Sequence, residues 1–288
     1  MNQADQSSVL APRIILPNVA THRTFSAPQL HMAMQGQGAP VVLSHALGLD
    51  LTMWNAFASR LSSGALGERY HVLRYDHRGH GQSETPPGPY TMDDLVDDAA
   101  RALREWGRWP VVWIGLSMGA MVGLGLAIRH PELVSSLVLA NTTARYPEAA
   151  ASGWAQRIAT VQANGMAAVA DLVVQRYLHA EFRDSNPAVA QAIHKVVLGD
   201  STQGYAASCH AVANVDWLDR LQQVQCPALV ISGGLDAGAP PAMGQAIADR
   251  IKGARMKVIE RASHLSVIER PTDFERVVGE FLQEHSST

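Results

Sequence analysis

Residues 111–130 read Val111-Val112-Trp113-Ile114-Gly115-Leu116-Ser117-Met118-Gly119-Ala120-Met121-Val122-Gly123-Leu124-Gly125-Leu126-Ala127-Ile128-Arg129-His130. The first six residues form a short apolar run, the signature of a strand buried on both faces. From Met118 the chain changes to apolar helical spacing, and Pro131 stops it. Between the two lies Gly115-Leu116-Ser117-Met118-Gly119, a G-x-S-x-G match at a strand-to-helix junction. Such a turn must be sharp, so that the serine Oγ projects from the sheet edge, and flanking glycines give it room. The plainer alternative is an ordinary turn with Ser117 as a helix N-cap.

Working outward, the same alternation repeats. Val41-Val42-Leu43-Ser44, His71 to Tyr75, Ser136 to Ala140, Ala228 to Ser232 and Met256 to Ile259 read as short apolar strands. Helical spacing follows over Met53–Leu61, Asp93–Trp106 (Thr91 as N-cap, Asp94 three residues on), Ala242–Ile251 and 272–284. Segments 13–22 and 29–34 read as antiparallel strands around Ala27-Pro28. Strands joined by helices predict an α/β fold with a mostly parallel, eight-stranded sheet and helices on both faces. The alternation breaks between Thr142 and Leu221, which read as helical throughout. The expected organisation is a core of 1–141 and 222–288 with a helical cap insertion at 142–221. An insertion leaving a strand's C-terminal end sits over the binding edge of such a sheet.

A serine at its own pKa is a weak nucleophile and needs a base, which in turn needs an orienting acid. His264, in Ala262-Ser263-His264-Leu265, and Asp236, in Gly233-Gly234-Leu235-Asp236, each follow a strand and stand in the order Ser, Asp, His. Asp216 is the competing acid. Backbone N–H groups of Met118, after the serine, and of Leu47, in the loop following Val41–Ser44, are the expected oxyanion donors. Asp76, His77 and His80 invite a metal reading, but no third ligand has a recognisable spacing, and a hydrogen-bonded turn beneath the site is the better account. Trp54, Arg145, Trp154 and Arg157 are the candidate pocket residues. An arginine facing the pocket would favour a carboxylated substrate.

The net charge of -3 gives no basic balance for nucleic acid, and no Lys/Arg run suggests a lipid surface. Two cysteines, Cys209 and Cys226, are too few for a disulfide framework. The polar N-terminus is unlike a secretory signal and no apolar run reaches membrane-spanning length, so a soluble, cytoplasmic protein is expected. No G-x-G-x-x-G loop is present, and neither a cofactor nor a metal is expected. The oligomeric state is not readable.

Taken together these residues resemble the α/β-hydrolase superfamily along nearly the whole chain, and within it the 3-oxoadipate enol-lactonases. The likeness rests on Ser44-His45-Ala46-Leu47-Gly48, Leu73-Arg74-Tyr75-Asp76, Arg78-Gly79-His80-Gly81, Gly115 to Gly119, Ala140-Asn141-Thr142-Thr143-Ala144-Arg145 and Ala262 to Ser266. It extends into the cap at Gly153-Trp154, Arg157-Ile158, Gly165-Met166 and Gly204-Tyr205-Ala206-Ala207. The resemblance implies hydrolysis of a strained, carboxylated enol ester through an acyl-enzyme on Ser117. His45-Ala46 stands where those enzymes typically have Asn-Ser, and the acid loop through Pro240 is rich in small residues. These departures leave the substrate open: an esterase of a larger ester or macrocyclic lactone, a carbon–carbon hydrolase or perhydrolase on the same triad, and a non-catalytic binding protein are the alternatives.

Overall fold

The computed structural model describes residues 19–67 and 69–285. Its centre is an eight-stranded sheet in the order β1-β2-β4-β3-β5-β6-β7-β8. The chain runs β1 (Ala20–Arg23), β2 (His31–Gln35), β3 (Ala39–Ser44), α1 (Asn55–Ser63), β4 (Tyr70–Tyr75), α2 (Met92–Trp106), β5 (Val111–Leu116), α3 (Met118–Arg129) and β6 (Val134–Ala140). Five helices follow without a strand: α4 (Ala151–Asn164), α5 (Ala170–Tyr177), α6 (Ala180–Ser185), α7 (Pro187–Leu198) and α8 (Thr202–Ala213). The alternation resumes with β7 (Ala228–Gly233), α9 (Pro241–Ala248), β8 (Arg255–Ile259), α10 (Ser266–Glu269) and α11 (Pro271–His285). The pairs β1–β2 and β2–β4 are antiparallel and the remainder parallel, as expected from the strand and helix pattern. The part of the first expected strand before residue 19 lies outside the described residues.

The strand order decides where a site can form. The step from β3 to β4 goes one way across the sheet, and the steps from β4 to β5 and onward go the other. Right-handed crossovers therefore put α1 on one face and α2 and α3 on the opposite one. The C-terminal ends of β3 and β5 border the point of reversal, where open α/β sheets bind ligands. Trp54 and Phe57 meet Phe274 of α11 at centroid distances of 6.3 and 5.3 Å, so α11 covers the same face as α1. On the other face α2 is fixed by a capping box, in which Thr91 N–H donates to Asp94 Oδ2 at 2.8 Å and Asp94 N–H to Thr91 Oγ1 at 3.1 Å.

The two chain ends of the 142–221 segment lie side by side. Trp217 N–H donates to the Ala144 carbonyl at 2.9 Å, and Arg145 and Asp216 form an isolated antiparallel bridge. Trp217 Nε1–H donates to the Met121 carbonyl at 3.0 Å, tying this root to α3. Higher up, Gly204 of α8 packs against Gly79 so closely that a Cβ on Gly204 would lie 2.3 Å from the Gly79 carbonyl oxygen. Cys209 and Cys226 are free thiols. Among the described residues no helix is long and apolar enough to cross a membrane.

Candidate active site

Ser117 sits between β5 and α3 with φ 56° and ψ −114°. Among the described residues only Ser117 and Asn141 combine positive φ with a side chain, and both stand at the C-terminal ends of neighbouring strands, β5 and β6. Such backbone is costly and persists only where surrounding contacts enforce it. Here Ser117 N–H donates to the Ala140 carbonyl at 2.8 Å, and Thr142 Oγ1 donates to the Ser117 carbonyl at 2.9 Å. The glycines of the motif are required by close approach. A Cβ at Gly115 would lie 2.3 Å from the Gly119 carbonyl oxygen, and one at Gly119 would lie 2.2 Å from that of Ser44. The turn thus packs backbone on backbone, which no larger residue permits.

His264 and Asp236 meet beside it. The His264 Nδ1 to Asp236 Oδ2 distance is 2.8 Å, and both side chains are buried. With Asp236 ionised, Nδ1 is the donor and Nε2 the basic nitrogen. Asp236 Oδ2 also accepts from Asn141 Nδ2 at 3.1 Å, and Oδ1 from the N–H groups of Gly238 and Ala239 at 2.8 and 3.0 Å. Burial pushes this carboxyl up. The attraction of His264 and these hydrogen bonds outweigh it and hold Asp236 below the usual carboxylate range. Asn141, in turn, donates to the Ser263 carbonyl at 3.0 Å and accepts from Ser266 Oγ at 2.6 Å. One amide therefore links the acid, the histidine loop and α10. Asp216, the competing acid, instead pairs with Arg145 at 2.5 Å.

The loop after β3, which carries Leu47, is held by neutral histidines. His77 N–H donates to His45 Nε2 at 2.9 Å, leaving His45 Nδ1–H to bond the Ala46 carbonyl at 2.8 Å. Gly48 N–H donates to His80 Nε2 at 3.0 Å. Burial lowers all three rings, joined by His45 for the other two, with His80 down to about 3, so they serve as fixed dipoles. The Asp76 carboxylate is occupied by the N–H groups of Leu51 and Gln82 and by His31, the hydrogen-bonded turn expected there. The Leu47 N–H has no protein partner among the described residues. Met118 opens α3, so its N–H lacks a carbonyl one turn earlier.

Ser117, His264 and Leu47 line a cavity of about 380 Å³ roofed by the segment between β6 and β7. Trp154 and Arg157 of α4, Arg176 and Tyr177 of α5, Tyr146 and Val212 contribute the roof, and Ala237, Gly238 and Met243 one wall. Trp154 and Arg157 are three apart on one helix and so share a face. The Arg157 guanidinium lies 5.4 Å from the Trp154 ring and 5.7 Å from that of Tyr205. Its Nε and Nη2 are buried without a hydrogen-bond acceptor among the described residues. The cationic side chains lining the cavity are Arg157 and Arg176, with no carboxylate among the described lining residues.

Two expected pocket residues lie elsewhere. Trp54 is fully buried in the core, because the single turn carrying it packs the indole against Phe57 of α1 and Phe274 of α11. Arg145 is at the surface, bridging Asp216 and Asp219 at 2.5 and 2.6 Å, because the strand-like pairing of the two ends of the 142–221 segment turns it outward. Conversely Asn141, Arg176, Tyr177 and Glu269 were not anticipated at the site. Only Asn141 carried a signal, its position directly after an apolar strand neighbouring Ser117's; the others depend on how α5 and α10 pack.

Residues 39–271 match the family model described as the alpha/beta hydrolase fold. The chain is 33% identical over 244 residues to 3-oxoadipate enol-lactonase 2 of Acinetobacter baylyi, covering 85% of this chain and 88% of that one. It is similar to the crystal structure of the enol-lactonase from Burkholderia xenovorans LB400, with a TM-score of 0.83, 37% identity and coverage of 88% and 96% of the two chains. A thermophilic esterase from Thermogutta terrifontis, with malate bound, superposes with a TM-score of 0.83 at 30% identity, covering 93% and 99%.

Proposed function

This chain belongs to the α/β-hydrolase fold family, and on that premise we propose that it is a serine hydrolase of small carboxylated esters or lactones, akin to the enol-lactonases. The observation that carries the reading is the convergence of Ser117, on its strained turn, with the His264–Asp236 pair in one cavity. His264 Nε2 takes the Ser117 proton as Oγ attacks the ester carbonyl carbon. Asp236 holds the imidazole in the tautomer that makes this possible and stabilises its charged form. The N–H groups of Leu47 and Met118 receive the developing oxyanion. As the carbonyl re-forms, the bond to the leaving oxygen breaks and His264 returns the proton to it. In a lactone that oxygen stays on the same molecule, so the ring opens without loss of a fragment. Water, deprotonated by His264, then attacks the acyl-enzyme, and Ser117 recovers its proton.

Charge and size narrow the substrate. A buried guanidinium without a carboxylate partner is complementary to a substrate carboxylate, and Arg157 is placed to take it. A cavity of about 380 Å³ is at the lower end of the roughly 300–1,000 Å³ range of ligand pockets. That favours a small lactone over a macrocycle. The test is a panel at pH 7–8: a carboxylated enol-lactone, its neutral analogue, p-nitrophenyl acetate, a macrolactone and a peracid assay, on wild type and Ser117→Ala. The reading requires the carboxylated lactone to have the highest kcat/KM and the Ser117→Ala protein to lose turnover of every ester. A preference for the macrolactone or for peracid formation would replace it with the corresponding alternative.

A further inference from the structure

Tyr177, the last residue of α5, makes three contacts with the catalytic loops. Its ring stacks on the His264 imidazole, with centroids 4.9 Å apart and planes at 30°. Its hydroxyl donates to the Leu47 carbonyl at 2.5 Å. Its own carbonyl accepts from Leu265 N–H at 3.1 Å. The residue is buried, and burial pushes its hydroxyl well above the ordinary value, so it remains a donor at any pH of interest. The adjoining chain is fastened too: Glu269 accepts from the N–H groups of His179 and Ser263, at 2.6 and 2.5 Å.

We propose that Tyr177 is a positioning residue for the hydrolysis, holding the His264 ring by its face and the oxyanion loop by its hydroxyl. The inference rests on the Ser117–His264–Asp236 reading above. The Leu47–Gly48 peptide is gripped from both edges, by Tyr177 at the carbonyl and His80 at the N–H. That fixes the Leu47 backbone and hence the direction of its free N–H. The ring does separate work. An aromatic face stabilises a cation lying on it, and the imidazole becomes a cation each time it takes the Ser117 proton. The face of Tyr177 thus lies against the ring it confines, in the position from which it would stabilise that ring's charged form.

The two roles separate in two variants. Tyr177→Phe keeps the ring and removes the hydroxyl; Tyr177→Leu removes both. The other ionisable groups around His264 are Asp236 on its Nδ1, Glu269 of α10, and Arg157, Arg176 and Tyr146 lining the same cavity, and all are common to both variants, so their difference reads the ring alone. The measurements are the fluorophosphonate labelling rate of Ser117, kcat and KM for p-nitrophenyl acetate from pH 5 to 9, and the melting temperature. Tyr177→Phe is expected to lower kcat on the order of tenfold with KM and the midpoint of the acidic limb unchanged. Tyr177→Leu is expected to lower it further and to move that midpoint to lower pH by a few tenths of a unit. If wild-type protein is not labelled at Ser117, the triad reading fails. If it is labelled and both variants match wild type, or both share one acidic limb, or kcat falls only in proportion to lost folded protein, the Tyr177 inference fails.

Discussion

Replacing Arg157 by methionine should make the protein more stable and less active, and both magnitudes follow from its surroundings. The ionisable neighbours of this guanidinium are Tyr205, Tyr177, Cys209 and Tyr146, none of them a carboxylate. Burial pushes Tyr146 and Cys209 each up to about 12, so neither supplies an anion at neutral pH. Two guanidinium nitrogens are buried without acceptors, and each unsatisfied buried donor costs about 1–3 kcal/mol. The two aromatic faces offset about 0.5–2 kcal/mol of that. Methionine fills much of the same space without charge. Arg157→Met should therefore gain about 3 kcal/mol in the ligand-free protein, the middle of those ranges, visible as a melting temperature higher by several degrees. A substrate carboxylate placed on Arg157 makes a charge-assisted hydrogen bond of about 1.5–3 kcal/mol. Its loss lowers kcat/KM on the carboxylated lactone by roughly 10- to 150-fold, while the neutral analogue changes by less than about threefold. The assay is scanning calorimetry beside paired kinetics on the two lactones. A lower melting temperature, or equal losses on both substrates, would show that Arg157 is held for packing and refute the argument.

Ser117→Ala should keep the fold and lose turnover by about 10³-fold or more, and Asp236→Asn should lose about 10⁴-fold; full activity in Asp236→Asn would put the acid elsewhere. Gly119→Ala should fail to reach the native state or melt far below wild type, since its Cβ would sit 2.2 Å from the Ser44 carbonyl oxygen; a circular dichroism melt matching wild type would contradict this. Glu269 and Asp236 should act oppositely on stability against pH. Asp236 titrates below its ordinary value when folded, so its contribution is present above that ordinary value and is lost as pH falls through the folded one. Glu269 is raised from 4.5 to about 7, mainly by burial, so the folded state holds its proton longer and stability declines as pH rises between those values. The difference in unfolding free energy between wild type and Glu269→Gln should fall across that window; a flat difference would overturn the assignment.

What was legible in the sequence was what local pattern controls. The Ser117 turn is written in six apolar residues, a G-x-S-x-G and a helix, and the constraint at Gly115 and Gly119 is steric and local. Asp236 and His264 could be found because each follows a strand, and parallel strands deliver their following loops to one sheet edge. The pocket was legible only where a period existed. Trp154 and Arg157 share a helical face and both reach the cavity. Arg145 lies in a connection with no period, and Trp54 in a single turn, so neither had a pattern to say which way it faces. Tyr177 and Glu269 make their contacts between the 142–221 segment and the loops of the sheet, a distance no local window spans.

The pairing of the two ends of the 142–221 segment bears on how such a chain can change over generations. Ala144 and Trp217 are joined by a backbone hydrogen bond, and Arg145 clasps Asp216 and Asp219 across the same gap. To the sheet, everything between them is a loop whose two ends already touch. Closing such a loop costs only slowly more as it lengthens, so the intervening helices can be exchanged or resized while β6, β7 and the loops beyond them stay as they are. The clasp is thus a splice site. Ser117, Asp236 and His264 lie outside the insert, whereas Trp154 and Arg157, which line the cavity, lie within it. A transplanted insert would also replace Tyr177, the residue whose ring rests on His264.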